Sequence, residues 1–110
     1  MSDISGIPYD AYYKACDAYA EARAEEMRIE DERPIAKHAA ILRVMQTPNE
    51  LTGKAHSASS AETQVELDPG YREYLAQRRA SVVNTIKARA ERDVALVSLQ
   101  VCAKIMAEAA

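Results

Sequence analysis

Apolar residues recur every three or four positions along two long stretches of the chain, separated by a polar region. This spacing is typical of α-helices that bury one face. It predicts a single domain over 1–110, with a first helical arm over 8–46, a loop and short helix over 47–68, and a second arm over 69–108. We therefore expect an all-α fold.

The first arm begins at Pro8, which suits a first helical turn because its missing N–H is not needed there. Tyr12, Cys16 and Tyr19 then fall on one face. Pro34 interrupts the pattern, and a proline inside a helix costs about 3 kcal/mol. The arm is expected to kink there, or a new helix begins. Beyond Pro34 the apolar stripe continues at four positions: Ile35, His38, Leu42 and Met45.

The polar region contains one helix-start signal and is closed by another. Ser59 followed by Glu62 is typical of a capping box, and predicts a short helix over about 60–66. Asp68 and Pro69 are a favoured N-cap and a favoured first helical residue. They predict the start of the second arm, which has no proline in its interior.

The two arms have nearly equal lengths, which predicts a long antiparallel helical hairpin with a kink at Pro34. Charge agrees with this pairing. Residues 17–33 carry a balance of −4 and residues 71–92 a balance of +4. Matching the arms end to end places Glu30 near Lys87. Exposed ion pairs add little stability, but they help to select an orientation.

The end of the second arm is apolar on most of its faces from Val94 onward. One neighbouring helix covers only a stripe of about 100°, so this end needs a second surface. Two hairpins that dimerise into a four-helix bundle would provide it, and a monomer that folds residues 1–8 across this end is the less favoured alternative. The residues that we expect to mediate self-association are Tyr12, Cys16, Tyr19, Val94, Val97, Val101 and Ile105.

Composition supports the helical interpretation and limits the class of protein. The chain has no Trp, no Phe and only 3 Gly, which argues against a β-rich fold. A net charge of −3 is too balanced to predict nucleic-acid or membrane binding. Cys16 and Cys102 are far apart in the sequence and belong to no paired motif, so we expect both to be reduced and buried. The N-terminus lacks a secretion signal pattern, so we expect a cytoplasmic protein that does not enter a membrane.

Residues that could support catalysis or bind a cofactor are few. His38 lies on the apolar stripe, where a half-buried, hydrogen-bonded histidine is expected, and His56 lies in the loop without a fixed neighbour. There is no Glu-x-x-His repeat and no glycine-rich phosphate loop. We therefore predict that the chain is not an enzyme and has no catalytic residue, no cofactor and no metal.

Arginines of the second arm are the strongest signal for nucleic-acid binding. They either form a phosphate-contacting face or solvate the helix and pair with the acidic first arm, and the charge balance favours pairing. The N-terminal tyrosines are likewise expected to form an interface patch rather than a base-stacking platform. The possible nucleic-acid contacts are Arg72, Arg78, Arg79, Arg89 and Arg92.

The stretch Asp68-Pro69-Gly70-Tyr71-Arg72-Glu73-Tyr74-Leu75, followed by an Arg- and Ala-rich helix, resembles small helical proteins of bacteriophages and prophages. Genes of that group often lie near recombination and replication genes. The resemblance implies an accessory protein of a bacterial host's cytoplasm. It would bind another protein of the recombination, replication or host-defence machinery. A direct nucleic-acid-binding protein and a structural subunit of a larger particle are the alternatives.

Overall fold

The computed structural model describes residues 7–48 and 53–109. Over these residues the chain is mostly helical and has no β-strand, so the all-α fold is confirmed. The helices are α1 (Tyr9–Asp31), α2 (Arg33–Met45), α3 (Ala58–Gln64), a 3₁₀ helix (Val65–Leu67) and α4 (Pro69–Ala109). The chain divides into a first unit of Met1–Glu26 with Ser81–Ala110, and a second unit of Met27–Ala80.

A new helix begins beside Pro34, which is one of the two outcomes expected there. Glu32 separates α1 from α2, and its N–H donates to the carbonyl oxygens of Arg28 and Ile29, both at 3.2 Å. Pro34 then lies in the first turn of α2, where the backbone N–H that proline lacks would have no partner within the helix.

Helix α2 packs through small side chains, contrary to the stripe expected for it. Ala40 is fully buried and Ala36 is half-buried, whereas Ile35 is 72% exposed. His38 is exposed as well, so the half-buried, hydrogen-bonded histidine expected there is wrong. The alanine side chains allow close approach of α2 to its neighbours. Ile41 packs against the core of the second unit and Met45 is half-buried, whereas Ile35 and Leu42 of the expected stripe are exposed.

Helix α3 starts two residues earlier than its capping pattern suggested. Ser57 is the N-cap, and its Oγ accepts the N–H of Ser60 at 3.1 Å. The predicted cap, Ser59, is inside the helix. Ala61 within α3 and Val65 at the start of the 3₁₀ helix are both buried, at 0% and 2% exposure.

The second unit has a small core in which α1, α2, the 3₁₀ helix and α4 meet. Its buried members are Ile29, Ala40, Val65, Tyr71 and Tyr74. The Tyr74 hydroxyl donates to the carbonyl oxygen of Ile29 at 2.6 Å. Burial raises the pKa of Tyr74.

An ion pair on the surface of the second unit corrects the pairing expected for Glu30. Its carboxylate binds the Arg78 guanidinium and not Lys87, which lies nine positions further along the chain. This difference is about two and a half helical turns. Charge alone did not fix the register because both positions offer a cation.

The first unit pairs α1 with the later part of α4, and the two segments run in opposite directions. Ser81, Thr85 and Ala88 are the buried side chains of α4 here. The Thr85 hydroxyl lies 3.2 Å from the carbonyl oxygen of Ala22 on α1 and 3.0 Å from that of Ser81. Small residues therefore line the contact and bring the helices close together.

Candidate functional site

Helix α4 presents two different faces within the first unit. The face toward α1 uses positions that alternate by four and three residues, the spacing of a heptad repeat. Its first three members are buried and the rest are half-buried. The α1-facing residues are Ser81, Thr85, Ala88, Arg92, Ala95, Leu99 and Cys102.

The opposite side of α4 carries an apolar face that nothing in the described part of the chain covers. The positions repeat at intervals of 11 residues, which keeps them on one side of a nearly straight helix. Their large side chains expose between 47% and 66% of their surface. We call this surface the valine face, and its members are Val83, Ile86, Ala90, Val94, Val97, Val101 and Ile105.

A shallow groove adjoins the middle of the valine face. It has a volume of about 300 Å³ and is lined by Asp93, Val94, Val97 and Ser98. Two of these lining residues are apolar and two are polar. Such a hollow can accept an apolar side chain from another surface.

Three residues expected to mediate self-association lie on α1 and not on the valine face. Tyr12, Cys16 and Tyr19 are half-buried. The ring of Tyr19 lies beneath two guanidinium groups, with the Cζ of Arg92 at 4.4 Å and that of Arg89 at 5.7 Å from its centroid. These are cation–π contacts between α1 and α4.

Tyrosines near the start of α1 contact one another. The rings of Tyr9 and Tyr13 stack with centroids 6.3 Å apart, and Tyr12 lies 5.9 Å from Tyr13 in a tilted arrangement. A hydrogen bond with the Cys16 thiol raises the pKa of Tyr12. Tyr13 is 59% exposed, so the cluster has one accessible ring.

Most arginines considered for nucleic-acid contact bind groups of the chain itself. In the second unit, the Arg72 Nε donates to the Glu66 carbonyl oxygen at 2.9 Å, and Arg78 pairs with Glu30. Arg79 is exposed and makes no ion pair within the described residues. In the first unit, Arg89 and Arg92 lie over Tyr19, as described above. Arg92 also pairs with Asp93 at 3.3 Å.

Asp68 is the centre of a polar cluster that the sequence revealed only in part. Its Oδ2 accepts the Tyr71 N–H at 2.9 Å, as an N-cap should, and the Arg43 Nη2 at 2.6 Å. The hydrogen bonds from Arg43 and from Tyr71 lower the pKa of the Asp68 carboxyl, although burial opposes them. A Cβ on Gly70 would approach Arg43 Nη2 to 2.5 Å, so this glycine leaves room for the guanidinium.

The remaining candidates for chemistry are scattered. The His56 Nδ1 lies 2.8 Å from the Ser60 Oγ, which corrects the expectation that this histidine has no fixed neighbour. Cys16 and Cys102 are both free thiols. Within residues 7–48 and 53–109, no group of His, Cys, Asp and Glu side chains could hold a metal ion.

None of the helices seen in the described ranges combines the length and the apolar character needed to cross a membrane. Comparison with protein families, with curated protein sequences and with solved structures found no match to this chain. The case for a function therefore depends on the geometry of the chain itself.

Proposed function

We propose that this chain is a non-enzymatic accessory protein that acts by protein–protein interaction through the valine face of α4. The observation that supports the proposal is an uncovered apolar surface on one side of a long helix. Isolated exposed apolar residues are ordinary, but contiguous exposed patches commonly mark binding sites. The groove beside Val94 and Val97 adds local shape to this surface.

The proposal includes the arrangement of the helices that presents this face. The two arms form an antiparallel hairpin with a kink at Pro34, and two hairpins join into a four-helix bundle. Opposed directions of α1 and α4 in the first unit support the hairpin, and the break at Glu32 supports the kink. The valine face supports the bundle because it offers the second apolar surface that a bundle needs.

Protein binding is preferred to nucleic-acid binding because of the arginines. Arg78 is paired with a carboxylate, and Arg89 and Arg92 lie over an aromatic ring. Phosphate contacts would have to compete with these partners, and the net charge of −3 opposes approach to a polyanion. On the resemblance to phage and prophage proteins, the proposed partner is a protein of the recombination, replication or host-defence machinery in a bacterial cytoplasm.

Site-specific photo-cross-linking in bacterial cells tests the proposal. A photo-cross-linking amino acid in place of Val97 should form protein adducts, because Val97 lies in the middle of the valine face. The same amino acid in place of Glu21, which is exposed on α1, is the matched control. Adding Val101→Asp should abolish the Val97 adducts, since it puts a charge into the buried interface.

Adducts from Val97 that are absent from Glu21 and lost with Val101→Asp would support binding through this face. Equal labelling from both positions, or no labelling from Val97, would contradict it. The mass of the adduct also shows whether the bound protein is a second copy of the chain or a different protein.

A further inference from the structure

The valine face has the symmetry of a surface that binds itself. We infer that it packs against the valine face of a second copy of this chain, with the two α4 helices antiparallel and Val94 of one copy opposite Val101 of the other. This inference rests on the proposed function and specifies the partner and the geometry of the same surface.

From Ala90 to Ile105 the positions on the face are arranged evenly about a point between Val97 and Ser98, whereas Ile86 falls opposite Ala109 and Val83 lies outside the overlap. Val94 and Val101 lie at equal distances from this point, and so do Ala90 and Ile105. Reversing a second helix therefore brings Val against Val and places the small Ala90 opposite the large Ile105. A two-fold interface requires such self-complementarity, because each surface meets its own copy.

The area of the face is sufficient for a modest specific interface. In this arrangement five large side chains, those of Ile86, Val94, Val97, Val101 and Ile105, face the second copy, and each exposes half to two thirds of its surface. Together with Ala90 and the stems of flanking charged residues, they offer on the order of 500 Å² per copy, so that two copies bury about 1,000 Å². This is about the smallest area at which specific protein interfaces are found.

Charged residues beside the face also match in the antiparallel arrangement. Lys87 and Glu108 lie at equal distances from its midpoint, so the antiparallel pair brings them to the same level along the axis. Asp93 and Lys104 lie on the same flank of the helix and come within about 3 Å of alignment along its axis. Lys87, Lys104 and Glu108 make no ion pair within the described residues, while Asp93 pairs with the adjacent Arg92.

A parallel arrangement is less favourable on the same evidence. It would place Glu108, which lies in line with Ile86 and Val97 on the face, at the same level as Glu108 of the second copy. It would keep only an attraction between Lys87 and Asp93. Flanking charges of this kind select orientation in helical pairs, so antiparallel packing is preferred.

Disulfide cross-linking of the full chain tests the arrangement. The background carries Cys16→Ala and Cys102→Ala to remove the native thiols, and circular dichroism and sedimentation verify its folding and association. Val97→Cys should cross-link to its own copy. Ile105→Cys alone should not, because two such residues would lie about 22 Å apart along the axis, beyond the reach of a disulfide. An equal mixture of Ala90→Cys and Ile105→Cys should cross-link.

Self-cross-linking of Ile105→Cys would overturn the antiparallel orientation. A monomer in sedimentation at micromolar concentration would overturn the second copy as the partner. If the probe at Val97 then still forms adducts with a different protein, the proposed function stands while this inference fails. Loss of all adducts would remove both.

Charge reversal gives an independent test of the register. Lys104→Glu should weaken dimerisation about fivefold, because two symmetry-related attractions become repulsions. Adding Asp93→Lys should restore the affinity. Lys14→Glu, an equal charge change at an exposed site on α1, is the control and should leave dimerisation unchanged. Equal effects of Lys104→Glu and Lys14→Glu would contradict the register.

Discussion

Asp68 combines three contacts that are usually made by separate residues. It caps α4 through the Tyr71 N–H, accepts two guanidinium nitrogens of Arg43, and ends the preceding 3₁₀ helix. Its side chain is 7% exposed, whereas that of Arg43 is 49% exposed. The carboxylate is therefore the buried member of the pair and the residue whose loss matters most.

Asp68→Asn should lower the free energy of unfolding at pH 7 by about 1 kcal/mol. Asparagine can still cap the helix, but it lacks the negative charge that pairs with the Arg43 guanidinium. The folded-state pKa of Asp68 lies below the unfolded value of about 3.9. Its contribution is thus present above that value and is lost as pH falls through the folded-state pKa.

Urea unfolding at several pH values from 7 to 3 measures this difference between the two proteins. It should shrink as the pH falls. Asp17→Asn, at an exposed carboxylate on α1, is the control and should behave like the wild type at every pH. A constant difference between wild type and Asp68→Asn across the whole range would contradict the assignment.

The Tyr74 hydroxyl gives a second prediction at this scale. Tyr74→Phe should lower the free energy of unfolding by about 0.5–1 kcal/mol. The effect stays small because the Ile29 carbonyl also accepts the Glu32 N–H at 3.2 Å and is not left without a donor. Tyr13→Phe, which alters an exposed ring, should cause no measurable change in chemical denaturation. A larger loss from Tyr13→Phe than from Tyr74→Phe would argue against the hydrogen bond.

Among the helices, α3 shows why a capping pattern does not fix a start site. The sequence offers several serines in a row, and each can cap a helix. In the structure Ser57 is the cap, and its Oγ accepts the Ser60 N–H. Neighbouring serines are local signals of equal strength, so a short window of sequence does not determine which of them caps the helix.

Ser57→Ala should therefore destabilise the second unit by about 1 kcal/mol, the usual cost of losing an N-cap. Ser59→Ala should have almost no effect, since Ser59 is exposed inside the helix and alanine is a better helix former. Thermal unfolding of the two variants compares them directly. The opposite order would restore Ser59 as the cap.

Helix α2 marks the limit of hydrophobic patterning. A stripe of large residues through Ile35 and Leu42 was expected to face inward, but Ala36 and Ala40 form the contact together with Ile41. A count of apolar residues along the sequence predicts that the larger side chains of α2 face inward. Close approach of two helices favours the smaller ones, and the sequence alone does not reveal which partner comes close.

At the scale of the whole molecule, the strongest signals predicted the helix boundaries well. Asp68 and Pro69 do begin α4, and the helix continues to Ala109. The pairing of residues was less predictable. End-to-end matching of the arms placed Glu30 opposite Lys87, because it took the arms as simple rods of equal length. The Arg43 contact with Asp68 was also missed, since nothing local links positions 25 residues apart.

The chain as a whole should bind DNA weakly and without steep salt dependence. Fluorescence anisotropy with a labelled duplex at two salt concentrations tests this expectation. A direct binder would lose affinity with a slope of about 0.9 per phosphate contact. Tight, salt-sensitive binding that Arg78→Glu with Arg79→Glu abolishes would reverse the preference for protein partners. The neutral pair Arg78→Gln with Arg79→Gln is a control that removes the charges without adding repulsion.

The two faces of α4 have different periods, and this has a consequence for how the helix winds. A seven-residue repeat, such as the face toward α1, favours a left-handed supercoil, whereas an 11-residue repeat favours a right-handed one. One helix cannot follow both. A partner bound to the valine face should therefore straighten α4 and weaken its packing against α1 near Leu99 and Cys102. Amide hydrogens of α1 around Tyr12 should then exchange with solvent faster in the assembled protein than in the unassembled chain.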